Sequence, residues 1–258
     1  MTSFFNKETA NVRIAAVGDI HYGRDVEHDL KPLFSSMNRD ADIILLCGDL
    51  TNYGLPGEAE GLAQDLRASI KKPIVAVLGN HDYESGKAAA VTEILRNIGV
   101  HVLNGQSIEI LGIGFAGTKG FGGGFGNHAL QAWGEESIKN YVRDSREEAM
   151  KLESALTKLQ TEQKIVVLHY SPIEETVRGE ALEIYPFLGS SRLEVPIDEY
   201  HVRAVFHGHA HHGSPTGKTQ SGIPVFNVAL PMLAKLNPDQ PAYRSFEIKH
   251  ETKTAVTS

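Results

Sequence analysis

The chain has a single cysteine, Cys47, and a single tryptophan, Trp133. One thiol excludes any internal disulfide, so this is no cystine-stapled secreted framework, and a reducing cytoplasm is the compartment it suits. Long apolar runs are missing too. No stretch approaches the roughly 20 apolar residues that span a bilayer, so no membrane role is expected. Residues 1–12 hold Lys7 and Glu8 among polar neighbours, with no apolar run leading to a small-residue cleavage site, which argues against secretion. Positive charge is in deficit. Lys and Arg number 25 against 32 Asp and Glu, a formal charge of -7, which opposes bulk attraction to nucleic-acid phosphates or anionic membranes and leaves only a local basic site for an anion. No internal repeat and no polar linker divides the 258 residues, so one domain spanning 1–258 is expected, with the tail from Glu251 to Ser258 fraying.

What the chain does have is an ordinary globular balance, 41% hydrophobic and 22% charged, and twelve histidines. Short apolar runs alternate with helix-like segments in the first half. Val12 to Val17 precedes Val26 to Met37, Ile43 to Cys47 precedes Glu58 to Ile70, and Ile74 to Leu78 precedes Lys87 to Asn97. This alternation predicts an α/β fold built from βαβ units with a largely parallel sheet. The second half changes character. Short strands are expected at Val100 to Leu103, Ser107 to Ile110 and Ile113 to Ala116, then a long helix from Glu135 to Gln160. Later strands follow at Ile165 to Leu168, Ala204 to Phe206, Val225 to Val228 and Tyr243 to Ile248, enough for a second sheet. Cys47, preceded by four apolar residues, reads as core rather than as a reactive thiol.

Five strand ends carry polar residues. The first ends in Gly18-Asp19-Ile20-His21, where i and i+2 share a face, so a carboxylate and an imidazole can converge on one cation. The second ends in Gly48-Asp49 and the third in Gly79-Asn80-His81-Asp82. Three successive strands thus deliver polar groups to the carboxyl edge of a sheet, where ligands of open α/β sheets gather. Ile165 to Leu168 runs into His169, and Val205-Phe206 leads to His207-Gly208-His209-Ala210-His211-His212. Singly, each block also reads as turn residues or a satisfied core histidine. Four histidines in six positions are better explained by a metal site.

Together these blocks resemble the calcineurin-like metallophosphoesterase superfamily, whose ordered motifs are Asp-x-His, Gly-Asp, Gly-Asn-His-Asp or Glu, a lone His, and Gly-His-x-His. All five occur here in order between Asp19 and His211. The resemblance implies a four-layer α-β-β-α sandwich of two mixed sheets flanked by helices. It assigns Asp19, His21 and His211 to one divalent metal and Asn80, His169 and His209 to a second, with Asp49 bridging. It also implies a hydroxide shared between the metals for in-line attack on phosphorus, with His81 assisting departure of the alcohol. Nitrogen and oxygen ligands without thiolate suit manganese, iron, zinc or cobalt better than calcium.

One departure from the family's pattern concerns His81. Protein phosphatases of the superfamily carry Gly-Asp-x-x-Asp, the second aspartate orienting the histidine, whereas this chain has Asn52 there. Either Asp82 substitutes or His81 carries less acid form at neutral pH. Purple acid phosphatases place a tyrosine ligand at the position of Asn52, and lipid-precursor pyrophosphatases place arginine where this chain has His81, so neither subfamily matches. The overall pattern most resembles the small bacterial phosphodiesterases of the superfamily, which implies a phosphodiesterase acting on a small or nucleotide-like phosphorylated substrate. A phosphomonoesterase, a protein phosphatase or a non-catalytic scaffold are the alternatives, and oligomeric state is not readable.

Several features stand outside the motif set. Arg24, three residues past His21, is the foremost candidate for a phosphate oxygen, with Lys119 and Arg192 as others. Gly112-Ile113-Gly114-Phe115-Ala116-Gly117 matches Gly-x-Gly-x-x-Gly but leads into another glycine-rich run rather than a helix, so a dinucleotide site is not expected. The stretch from Gly117 to Trp133 reads as a long surface loop, with a substrate lid as the alternative. His207 is expected to end a strand facing away from the site, and His212 to support the ligands from behind.

Overall fold

The computed structural model describes residues 5–23 and 29–255. In chain order the first half contains β1 (Phe5–Val17), α1 (Lys31–Asp40), β2 (Ile43–Cys47), α2 (Pro56–Ser69), β3 (Ile74–Val77), α3 (Ala88–Asn97) and β4 (His101–Val102). The second half contains β5 (Gln106–Ile110), β6 (Ile113–Gly117), α4 (Glu136–Leu156), β7 (Gln163–Val167), α5 (Tyr185–Leu188), α6 (Glu194–Glu199), β8 (Ala204–His207), β9 (Thr216–Lys218), β10 (Pro224–Asn227), α7 (Leu230–Leu236) and β11 (Arg244–Ala255). Two sheets result, in the orders β11-β1-β2-β3-β4 and β5-β6-β7-β8-β10-β9. Both are mixed. β1 through β4 are parallel with β11 antiparallel at the edge, and β6, β7, β8 and β10 are parallel with β5 and β9 antiparallel outside them.

The period of two along each strand builds the layers. Ile43, Leu45 and Cys47 of β2 point between the sheets, where they meet Phe115, Val167 and Phe206 of the second sheet. The intervening Ile44 and Leu46 point the other way, onto Phe34 and Met37 of α1 and Leu62 and Leu66 of α2. β7 does the same, sending Ile165 and Val167 inward and Val166 towards Leu152 of α4 and Ile197 of α6. The layers are therefore helix, sheet, sheet, helix. Cys47 lies fully buried in the central layer, and burial pushes its thiol well above the ordinary value, as a core residue requires.

Two expectations fail at element ends. α1 starts at Lys31, after Asp29 and Leu30, because Pro32 suits a first turn whose N–H groups lack partners; Val26, the expected start of the segment, lies outside the described residues. Of the tail expected to fray, residues 251–255 are strand and residues 256–258 lie outside the described residues. β11 runs to Ala255, its backbone antiparallel to β1 from Ala16 opposite Arg244 to Phe5 opposite Ala255. Among the described residues no helix is long and apolar enough to cross a membrane.

Candidate metal centre

The parallel strands of both sheets end at one edge, and their loops lace together there. Asp19 N–H donates to the Gly48 carbonyl (2.9 Å), His21 N–H to the Asp49 carbonyl (2.9 Å) and Asn52 N–H back to the Tyr22 carbonyl (3.0 Å), joining the loops after β1 and β2. His209 N–H donates to both Asp19 carboxylate oxygens, at 3.0 and 2.9 Å, which draws in the loop after β8. Four of the residues thus held are left-handed without being glycine: Asp19 (φ 56°), His21 (48°), Asp49 (48°) and His209 (69°). Such conformations survive only where the surroundings over-determine them, and they concentrate at functional sites. Glycine is required beside them. A Cβ on Gly48 would lie 2.5 Å from the His169 ring, and one on Gly79 would meet the Asp49 carboxylate and backbone nitrogen.

Side chains converge in three overlapping groups: Asp19, His21 and His211; His21, Asp49 and His81; and Asp49, His169 and His209, each with ligand atoms within 4.8 Å of one another. His211 Nε2 is 3.0 Å from Asp19 Oδ1, while His21 Nε2 is 3.9 Å and His169 Nε2 3.4 Å from the two oxygens of Asp49. The Asn80 amide oxygen is 2.9 Å from His169 Nε2. Among the described residues, the buried His21 Nε2 has no hydrogen-bond partner. An orphaned imidazole nitrogen aimed at carboxylate oxygens costs free energy unless a cation lies between them, so these residues fit a metal. The Cys47 carbonyl, 3.0 Å from His169 Nδ1, accepts the proton there and turns Nε2 towards Asn80 and Asp49.

Electrostatics agree with that reading. Burial disfavours charge on His169, but Asp49 outweighs it and lifts the imidazole to about 9. Burial likewise acts to raise the Asp49 carboxyl, yet His169 and the His81 N–H (2.8 Å) hold it well below the carboxylate range. Burial lowers His21 and His209, leaving them neutral and able to ligate, while the hydrogen bond to Asp19 raises His211. Without a cation, then, a proton on His169 neutralises Asp49.

A family model described as calcineurin-like phosphoesterase matches residues 12–213, which include all five polar strand ends. The chain belongs to that family. It is a phosphoric ester hydrolase with groups able to hold divalent metal. No curated protein matches it. Among solved structures, the chain is similar in fold to a Phosphopantetheinyl Hydrolase from Mycobacterium tuberculosis, with TM-score 0.66, 13% identity, and coverage of 90% of this chain and 95% of that one. A Thermus thermophilus protein gives TM-score 0.53 at 17% identity, covering 92% and 99% respectively. A Staphylococcus aureus protein described as a putative 5'-nucleotidase, solved with alpha-ketoglutarate, gives 0.52 at 13% identity, and the match takes in 84% of this chain but 48% of that one.

In this phosphoesterase His81 opens a 3-10 turn directly after β3 and stands edge-on to His21, ring centres 4.5 Å apart. Its orienting partner is neither candidate. His81 Nδ1 donates to the backbone carbonyl of Asn52 at 2.7 Å, with the Glu84 carboxylate 3.7 Å away. The Asn52 amide is not needed, because its main chain supplies the acceptor. Asp82 is turned away from His81 altogether. Fully buried, its carboxylate accepts from Leu50 N–H (3.1 Å), Thr51 N–H (2.8 Å), Thr51 Oγ1 (2.5 Å) and Gly79 N–H (2.8 Å), and so clamps the Asp49 and Asn80 loops together.

Other candidates resolve differently. Arg24 lies outside the described residues. Arg192 donates to the Leu130 carbonyl at 2.6 Å and so braces a loop. His207, as expected, faces away, its Nε2 2.8 Å from Thr176 Oγ1, and burial pushes its pKa down to about 4. His212 does not back the ligands; it is exposed, its N–H on Glu180. The glycine-rich stretch expected as a surface loop divides: residues 126–128 and 131–133 are exposed, whereas residues 122–125 are buried and bonded to the segment around α5, with Gly123 N–H on the Pro186 carbonyl (2.6 Å) and Gly124 N–H on the Gly189 carbonyl (2.9 Å). Its glycines serve close approach: a Cβ on Gly122 would collide with the Tyr141 hydroxyl. Sequence reasoning missed Phe187, whose carbonyl lies 3.1 Å from His209 Nε2, because a backbone acceptor leaves no mark on residue type.

Proposed function

We propose that this phosphoesterase holds two divalent cations and hydrolyses phosphodiesters of small or nucleotide-like alcohols. The carrying observation is the chain of overlapping ligand groups, linked through His21 and Asp49, with His21 Nε2 unpartnered among the described residues. Asp19, His21 and His211 would hold one cation, Asn80, His169 and His209 the other, and Asp49 both. When bound, such a pair supplies an acidified water and Lewis-acid charge for the phosphoryl oxygens. The chain's own residues do the rest. His81, its Nδ1–H on Asn52, presents Nε2 for a proton to the leaving alcohol once the ring is doubly protonated. Asp82 and the Cys47 and Phe187 carbonyls keep the ligands in place.

The diester preference rests on His81 having the backbone carbonyl of Asn52, rather than a hydrogen-bonded carboxylate, as the acceptor behind it, which departs from the protein-phosphatase pattern. The names of two structural relatives, a phosphopantetheinyl hydrolase and a 5'-nucleotidase, favour a small phosphorylated substrate. The test is turnover of matched phosphomonoesters and phosphodiesters after loading with manganese, with metal content measured alongside. Two ions per chain, faster diester hydrolysis, and loss of both metal and activity in Asp49→Asn are expected. No more than one ion under excess manganese, or preferred monoester hydrolysis, would overturn the reading.

A further inference from the structure

Lys119 follows β6 at the same sheet edge as the metal centre; its backbone carbonyl accepts from His169 N–H and Tyr170 N–H, both at 3.0 Å, but the reading of the metal site gives its side chain no role. Its ammonium lies over three rings, 4.6 Å from the centre of Phe121, 4.8 Å from Tyr170 and 5.6 Å from Tyr83. Two of those rings belong to residues next to the site. Tyr83 ends the turn that His81 begins, and Tyr170 follows His169 with its ring 4.4 Å from that of His209. The ammonium is thus within about 10 Å of the ligand imidazoles, roughly one Debye length, where charges still feel each other.

The charge of Lys119 is incompletely answered within the protein. Its one hydrogen bond goes to the adjacent Gly120 carbonyl at 2.9 Å, leaving two of three donors unused. The nearest buried carboxylate, Glu148, is taken by Thr118, by Gly120 N–H (2.9 Å) and by Lys151 (2.6 Å). Among the described residues no carboxylate forms an ion pair with Lys119. A cavity of about 180 Å³ opens beside it, between the ends of β3, β4 and β6, lined by Lys119, Tyr83, Arg96, Asn104 and Gln106. Arg96 is its second cation, with one guanidinium nitrogen already on the Val102 carbonyl at 2.6 Å. In a chain of net charge -7, a cavity with two cations and no acidic side chain is a local reversal of sign.

We propose that this cavity receives a second anionic group of the substrate, a phosphate or a carboxylate, with Lys119 as the specificity-determining contact. The inference rests on the phosphodiesterase reading for the location of the scissile group. The remote anion contributes binding at a distance from the chemistry, which fixes the position of the phosphodiester over the ligand cluster. The rings that surround the ammonium keep it extended and partly dehydrated, so an arriving anion meets a donor already in position.

The test uses three p-nitrophenyl phosphodiesters whose second alcohol is propanol, 3-hydroxypropanoate or propanediol monophosphate. The manganese-loaded protein should prefer one or both of the charged-tail substrates by about 10–100-fold in kcat/KM, mostly through KM, as a charge-assisted contact provides. Which tail wins separates carboxylate from phosphate. In Lys119→Met the preference should collapse towards unity, and Lys119→Arg should restore part of it. Binding of propanediol bisphosphate against propyl phosphate, by calorimetry on the same proteins, reads the cavity without hydrolysis. Should no diester be turned over while the bisphosphate binds tenfold tighter in a Lys119-dependent way, the phosphodiesterase reading falls and the anion site stands. Equal binding of both phosphates by the unmodified protein, or an equal preference in Lys119→Met, would overturn the proposal.

Discussion

Asp82→Asn isolates what the buried clamp contributes. The carboxylate accepts two bonds on each oxygen: Thr51 N–H and Thr51 Oγ1 on Oδ1, Leu50 N–H and Gly79 N–H on Oδ2. An amide keeps only one acceptor oxygen. Whichever way it turns, its NH2 faces at least one backbone N–H, and the least costly orientation sets it against Thr51, whose hydroxyl can reverse and accept. One backbone N–H is then orphaned at about 1–3 kcal/mol, and the remaining bonds lose their charge assistance, so about 2–4 kcal/mol of stability should disappear. Burial already pushes the Asp82 carboxyl above its ordinary value, with the four donors pulling it back, so the anion is held there by its partners alone. Thr51→Val removes the hydroxyl bond only and should cost about 1 kcal/mol. Urea unfolding of the metal-free proteins, compared through midpoint and slope, measures both. Because Leu50 and Gly79 adjoin Asp49 and Asn80, manganese affinity of Asp82→Asn should also fall by about 10–100-fold. A loss no larger than that of Thr51→Val, with metal affinity unchanged, would refute the clamp.

Two further outcomes follow from the site. His81→Ala should retain metal while losing about 10²–10⁴-fold in turnover of an alkyl-alcohol ester, and much less for p-nitrophenolate, which departs without a proton; metal analysis and rates on both substrates decide between an acid and a ligand. In the metal-free protein the folded His169 is raised to about 9 from an unfolded value near 6.5, so its contribution to stability is fully present below about 6.5 and is lost as pH rises towards about 9. Cation binding must expel that proton, so manganese affinity should climb with pH over the same window, and calorimetry in buffers of different ionisation enthalpy should register proton release. An affinity flat in pH would contradict the Asp49–His169 coupling.

The layers were legible because they depend on local alternation. Strands such as Ile43 to Cys47 carry the period of two in their own residues, and each glycine-plus-ligand block sits at a strand end where a turn is needed anyway. The positions of Asp19, Asp49, Asn80, His169, His209 and His211 could be read because five weak blocks in fixed order are together specific. What stayed hidden depends on partners far along the chain. That Asp82 would bond Thr51 and Gly79 rather than His81, and that the Asn52 carbonyl would take the role sought for its side chain, follows from how two loops cross after β2 and β3. The polar tail pairs with β1 over more than two hundred intervening residues, a register that composition does not encode. The glycine-rich stretch misled for a different reason, since glycine marks close approach as often as freedom.

The left-handed residues of the candidate metal centre mark where stability has been given up for geometry. At Asp49 (φ 48°) a non-glycine backbone costs about 1–2 kcal/mol, and the loop holds it through the Gly48 and Asp49 carbonyl bonds to Asp19 and His21. Asp49→Ala removes the carboxylate and keeps the strain, whereas Asp49→Gly removes both. Glycine's larger entropy in the unfolded chain offsets about 0.5–1 kcal/mol of the relief. The glycine variant should therefore be the more stable of the two by up to about 1.5 kcal/mol, read from urea midpoints in the absence of metal, although neither variant should hydrolyse phosphodiesters. Were Asp49→Ala the more stable, the backbone at Asp49 would not be strained, and the carboxylate's position would have to be credited to its contacts with His81 and His169 alone.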